Sequence, residues 1–85
     1  MLDAVVKTAM DDAEVGADVY FDVWETFFRN DWDQRKWTAV ERVRVNGREV
    51  GDVIVSTILN RLQGDVVSSL MNGPTRCFVV KVKKL

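Results

Sequence analysis

The sequence predicts an α+β protein. Two N-terminal helices, a β-hairpin, a helix and a C-terminal strand follow in the order ααββαβ, with a small, mainly antiparallel sheet. Three observations lead there. Apolar residues near the N-terminus recur at helical spacing, an Asn-Gly pair sits between alternating valines, and the C-terminal stretch alternates with period two.

Leu2, Val5, Val6, Ala9, Met10 and Ala13 recur three and four residues apart, so residues 2–14 read as a helix with one apolar stripe. Asp11, Asp12 and Glu14 fall in its last turn, where the helix dipole disfavours acids. Gly16 then stops it.

Residues 17–30 divide two kinds of evidence. Val19, Tyr20, Phe21, Val23, Trp24, Phe27 and Phe28 are strand formers by propensity. Projected at 100° per residue they fill one arc of about 200°, with Asp18, Asp22, Glu25, Thr26 and Arg29 opposite. Spacing is given precedence over composition, and a helix is expected. A long strand pairing with residues 37–45 is the alternative.

Asn30 to Lys36 is a polar connection that contains Trp32. Strands 37–45 and 48–52 follow, joined at Asn46-Gly47. A type I′ turn needs φ > 0 at both central positions, which Asn-Gly supplies. A two-residue loop pairs Val45 with Arg48, Arg44 with Glu49 and Val43 with Val50. Val43, Val45 and Val50 then share one face, and Arg42, Arg44 and Glu49 the other, so a one-residue slip would be penalised.

Val55, Ile58, Leu59, Leu62, Val66, Leu70 and Met71 keep helical phase across Gly64. They predict one kinked helix, or two broken at Gly64 with Asp65 as N-cap. Asn72-Gly73-Pro74 would end it. In the last strand, residues 76–83, Phe78, Val80 and Val82 face one way and Cys77, Val79, Lys81 and Lys83 the other. A right-handed crossover would set this strand parallel to the second and beside the first.

Eighty-five residues without linker, repeat or low-complexity segment read as a single domain, 1–85. Apolar residues are 47% and charged residues 29%, an ordinary globular composition. The first residues lack the basic n-region and apolar run of a signal peptide, and no run approaches a membrane span. One cysteine excludes an internal disulfide framework and suits a reducing compartment, so a cytoplasmic protein is expected.

Enzymatic chemistry finds little support. The chain has no histidine, no phosphate-binding glycine loop and no base near Ser68-Ser69. Cys77, with no histidine partner, reads as a structural thiol. Asp31-x-Asp33 lacks the glycine and distal glutamate of a calcium loop. Neither a catalytic residue nor a metal or cofactor is expected.

Charge is what singles out a surface. Net charge is −1, yet residues 1–33 carry nine acids against Lys7 and Arg29, a balance of −7, and residues 34–85 carry +6. On a helix, Asp18, Asp22 and Glu25 share a face, where like charges cost about 0.2–0.5 kcal/mol per pair. With Asp31, Trp32 and Asp33 they form a candidate surface for a protein partner of basic character, one that itself handles nucleic acid included. A solvated helix face explains the same acids.

The expectation is a small, non-enzymatic interaction protein, a stoichiometric inhibitor or adaptor. Antagonists of this build encoded by phage or mobile elements are an analogy of type only. The alternative is a nucleic-acid-binding module using Arg42, Arg44 and Arg48 of the hairpin with Lys81 and Lys83. Against it, Glu41, Glu49 and Asp52 interrupt the patch, Arg44 can pair with Glu49 across the ladder, and no exposed strand aromatics are expected. A homo-oligomer joining acidic and basic halves of neighbouring copies is a third arrangement.

Overall fold

A computed structural model of the chain describes residues 3–30 and 33–85, with side chains at 3–28 and 39–85. It is α+β: five antiparallel strands and two short helices.

Helix α1 runs Ala4–Asp11, its N-terminus capped by the Asp3 carboxylate, which accepts a 2.9 Å hydrogen bond from the Val5 amide. Val6 and Met10 of the expected stripe are buried. The helix ends earlier than its apolar pattern. Asp12 is already its C-cap, and Gly16, at φ 86°, donates its N–H to the Lys84 carbonyl and leads into the sheet.

Strand β1 spans Asp18–Asn30 and β2 Asp33–Val45. The second predicted helix is thus a thirteen-residue strand, and the alternative pairing with 37–45 is the one adopted: Val23 faces Val45 and Arg29 faces Trp37. The helical arc was a coincidence of two apolar sets. Val19, Phe21 and Val23 are buried on one face of β1, whereas Tyr20, Trp24 and Phe28 are exposed and belong to the other parity. Their union mimics a helical stripe, while β-branched and aromatic side chains, stiff against a helix, prefer the pleated sheet.

The turn to β3, Arg48–Val50, keeps the expected register, Val43↔Val50, Arg44↔Glu49 and Val45↔Arg48. Asn46 and Gly47 have φ of 51° and 78°. Asn46 also ties the hairpin to β1. Its amide donates to the Asp22 carbonyl at 2.8 Å, and its Oδ1 accepts from the Asp22 amide at 2.9 Å.

Helix α2, Val53–Ser56, continues into a π-turn at Thr57–Arg61 and stops. The predicted long helix ends there. Residues Asp65–Asn72 form β4, because Val66, Val67, Ser68 and Ser69 are poor helix formers and Gly64 breaks the run. Gly64 lies so close to β5 that a Cβ there would collide with Val80 Cγ1 and stand 2.8 Å from the Ile58 carbonyl. Gly73-Pro74 is a hairpin loop rather than a helix end, with Gly73 at φ 59° and Asn72 facing Thr75. That sign pattern, positive φ then proline, suits a II′ turn.

Strand β5, Thr75–Lys83, alternates as expected but lies antiparallel to both neighbours, β1 and β4, in the order β3-β2-β1-β5-β4. Val6 and Met10 of α1, with Val55 and Ile58 of the α2 segment, pack onto Val19, Phe21, Val23, Val43, Val45, Phe78, Val80 and Val82. All of these strand residues share one face. The helices therefore cover that side and leave the other open. Among the described residues no helix is long and apolar enough to cross a membrane.

Candidate interaction surface

The open face is built by strand parity. Along β1 it carries Asp18, Tyr20, Asp22, Trp24, Thr26 and Phe28. Beside them stand Arg42 and Arg44 of β2, Cys77, Val79, Lys81 and Lys83 of β5, Asp65, Ser68 and Leu70 of β4, and Glu49 of β3. One row crosses the sheet as Glu49, Arg44, Trp24, Cys77 and Leu70.

Trp24 is a ridge at the centre of this row, 50% exposed. On its β5 side lies a groove of about 500 Å³, walled by Trp24 and Leu70 and floored by Cys77 and Val79. It exists because β5 places small side chains between larger ones on its neighbours. On the other side a smaller hollow of about 200 Å³ is lined by Trp24, Thr26, Arg42, Arg44 and Thr75. The Thr26 and Thr75 hydroxyls meet there at 3.3 Å. Tyr20, 56% exposed, and Phe28 extend the aromatic column above and below.

Among the described side chains, charges on this face balance: Asp18 faces Lys83, Asp65 faces Lys81 and Glu49 faces Arg44 across the ladders, while Asp22 and Arg42 complete four acids and four bases. The Arg44–Glu49 pairing is one of register only. Among the described residues, the ion pair within 4.0 Å is Lys7–Asp11, at 3.9 Å on the exposed side of α1.

The residues singled out from sequence are redistributed. Asp18 and Asp22 lie on the open face, but Glu25 points to the helix side, where it faces Arg76, so the three do not form one acidic stripe. Burial raises the Glu25 carboxyl above its ordinary value of 4.5. The Arg76 charge opposes that shift and Asp52 adds to it. Arg76 is itself held, its guanidinium 4.3 Å above the Phe78 ring and its Nε donating to Ser69 Oγ at 3.4 Å. Asp31 and Trp32 lie outside the described residues. Asp33 opens β2 opposite Asn30, and its side chain is likewise outside them.

Of the basic set, Arg42, Arg44, Lys81 and Lys83 share the open face. Arg48 does not, because it faces Val45 and borders the α1 side with Ala4, Val5 and Thr8. Cys77 is a half-buried free thiol in the groove floor. Among the described residues, no three His, Cys, Asp or Glu side chains gather as a metal site would require.

The aromatic column of Tyr20, Trp24 and Phe28 is what sequence reasoning missed. Its signal was present as a spacing of four within a segment whose odd positions, Val19, Phe21 and Val23, already formed an apolar face. The fold and this face define an α+β domain with one sheet surface uncovered. Comparison of the chain with protein-family models, curated proteins and solved structures gives no match.

Proposed function

We propose that this is a small, non-enzymatic interaction protein that binds a partner protein through the open sheet face, with Trp24 as its anchor. The supporting observation is a half-exposed tryptophan at the centre of a face, between an apolar groove shared with Leu70, Cys77 and Val79 and a hollow lined by Arg42 and Arg44, with acids and bases around it. Exposed aromatics and arginine at the centre, ringed by polar residues, are the composition of binding hot spots. The groove beside Trp24 suits an apolar side chain of the partner, and Arg42 and Arg44 suit a carboxylate on its rim. In this reading the protein acts stoichiometrically, as an inhibitor or adaptor, by covering the surface it binds. A free thiol fits a reducing compartment, the cytoplasm.

The test is selection of binders from a displayed protein-fragment library on the immobilised chain, followed by titration against Trp24→Ala. Loss of a hot-spot tryptophan costs about 2 kcal/mol or more, so affinity should fall about thirtyfold or more. Binders that hold Trp24→Ala and Leu70→Lys as tightly as the original chain would refute the surface.

A second reading rests on the same aromatics. Tyr20, Trp24 and Phe28 stand on one sheet face with Arg42 and Arg44, an arrangement on which single-stranded bases can stack, at about 1–3 kcal/mol per base. Four acids on that face weigh against it. Fluorescence polarisation with a labelled oligo-dT or oligo-U at low salt separates the two. Saturable binding lost in Trp24→Ala and in Arg42→Ala/Arg44→Ala would favour nucleic acid.

A further inference from the structure

We infer that β4 is a pairing edge for a second copy of this chain, forming a two-fold dimer with one continuous ten-stranded sheet. The inference concerns the sheet edge and does not depend on what binds the open face.

Exposed edges invite strand addition unless they are short, charged or interrupted by proline. The β3 edge is short, three residues, and two of them are Arg48 and Glu49. Where β2 runs on past β3, five of the ten residues from Asp33 to Arg42 in the sequence are charged, Asp33, Arg35, Lys36, Glu41 and Arg42. Strand β4 carries such protection only at its start, where Asp65 and the irregularity between Val66 and Ser68 lie. It is eight residues long, every residue is exposed, and its sequence D-V-V-S-S-L-M-N contains no lysine, arginine or proline. Its one charge, Asp65, stands at the very start. Val66, Val67, Leu70 and Met71 are between 44% and 67% exposed on a strand otherwise suited to a sheet interior.

The strand is also complementary to itself. In antiparallel pairing, residues opposite one another must share a face. A two-fold axis at Ser69 sets Ser69 against Ser69, Ser68 against Leu70 and the Val66–Val67 bulge against Met71. Ser68 and Leu70 both lie on the open face, opposite Val79 and Cys77, and Val66 and Met71 both lie on the helix side, opposite Val80 and Arg76. The pairing about Ser69 is regular from Ser68 to Leu70, and the irregularity between Val66 and Ser68, which returns Val66 to the helix side, marks its outer limit. No like charges oppose each other anywhere along Val66–Asn72. The axis would also bring the two Leu70 side chains, each a wall of its own groove, to the middle of the joined face.

Light scattering and sedimentation across a wide concentration range test this. The mass should rise from 9.7 kDa towards twice that value as concentration increases. Ser68→Lys/Leu70→Lys, which sets lysine against lysine across the axis, should hold the monomer mass throughout. Ser69→Cys in a Cys77→Ser background, with the edge otherwise intact, should yield a disulfide-linked dimer on mild oxidation. A monomer at every concentration, absence of the Ser69→Cys cross-link, or a dimer that ignores the double lysine variant but dissociates in Trp24→Asp would each overturn it.

Discussion

Gly64→Ala tests how the helix layer is seated on the sheet. Gly64 is the point where the chain leaves the π-turn and enters β4, and its φ is not in the left-handed region, so alanine meets no backbone strain there. The obstacle is space. An added Cβ collides with Val80 Cγ1, stands 2.8 Å from the Ile58 carbonyl oxygen and 3.2 Å from Val82 Cγ2. Val80 is fully buried and cannot swing into solvent. The Ile58 carbonyl is the acceptor of the Gly64 amide at 3.0 Å, so backing the turn away from β5 stretches that bond as well. Overpacking costs about 1–3 kcal/mol, and loss of a hydrogen bond adds about 1 kcal/mol. Reduced freedom of the unfolded chain returns about 0.4–1 kcal/mol. The net is a loss of about 2 kcal/mol, or roughly 10–15 °C in Tm for a domain of this size. Thermal melts by circular dichroism, with urea titrations showing a lower midpoint at unchanged m, would measure it. A Tm equal to or above the original would mean that the helix layer is not lodged against β5 through this glycine. Gly51→Ala is the internal contrast. Its nearest neighbour would be Val53 Cγ1 at 4.0 Å, and a gain of about 0.4–1 kcal/mol is expected.

Further outcomes follow from individual contacts. Phe21→Ala empties the centre of the core, where the ring is fully buried, and should cost about 3–5 kcal/mol in urea unfolding, enough to leave a large unfolded fraction. Asn46→Ala removes both the residue suited to φ 51° and the Oδ1 acceptor for the Asp22 amide. A loss of about 1–2 kcal/mol is expected, and Asn46→Gly should recover the turn conformation but not the acceptor. Glu25 carries a pH signature. Its folded pKa is raised, so the folded state holds that proton more tightly than the unfolded chain. The contribution is therefore present below 4.5, the ordinary value, and is lost as pH rises through the raised folded value. Glu25→Gln should flatten the stability profile across that interval in melts recorded as a function of pH.

Local signals in the sequence were reliable where one interaction fixed the outcome. Asn46-Gly47 set the β2–β3 register because few residues adopt the turn's positive φ, and alternation in β5 put Phe78, Val80 and Val82 in the core because that strand is apolar on one face and mixed on the other. Helical periodicity misled where its premise failed. It assumes that the face away from the core is polar. In β1 the outward positions include Tyr20, Trp24 and Phe28, and in β4 an edge leaves Val66, Val67, Leu70 and Met71 exposed, so apolar residues on both parities imitated a helical stripe. The two segments expected as helix and found as strand are thus the two surfaces argued to bind something, while the expected connection from Asn30 to Lys36 proves to be strand from Asp33 onward, the opening of β2. Only β1's open aromatics relocate the candidate site, from an acidic helix face to a sheet face.

That relocation changes the expected physics of association. An acidic stripe of Asp18, Asp22 and Glu25 would steer a basic partner over distance and weaken steeply with salt. Among the described side chains the open face has four acids and four bases in alternation, three of the acids facing a base across a ladder, so their long-range field largely cancels within a Debye length of about 10 Å at 0.1 M salt. Binding that depends on burying Trp24 should then have an ordinary association rate, and its affinity should change little between low and moderate salt. Trp24→Ala should act chiefly on the dissociation rate. Nucleic acid on the same aromatics would behave otherwise, because each phosphate neutralised by Arg42, Arg44, Lys81 or Lys83 releases counterions and steepens the salt dependence. A salt titration of any captured partner, with on- and off-rates resolved, therefore separates the three modes. A steep fall in association rate with salt, unaffected by Trp24→Ala, would return the acids to first place.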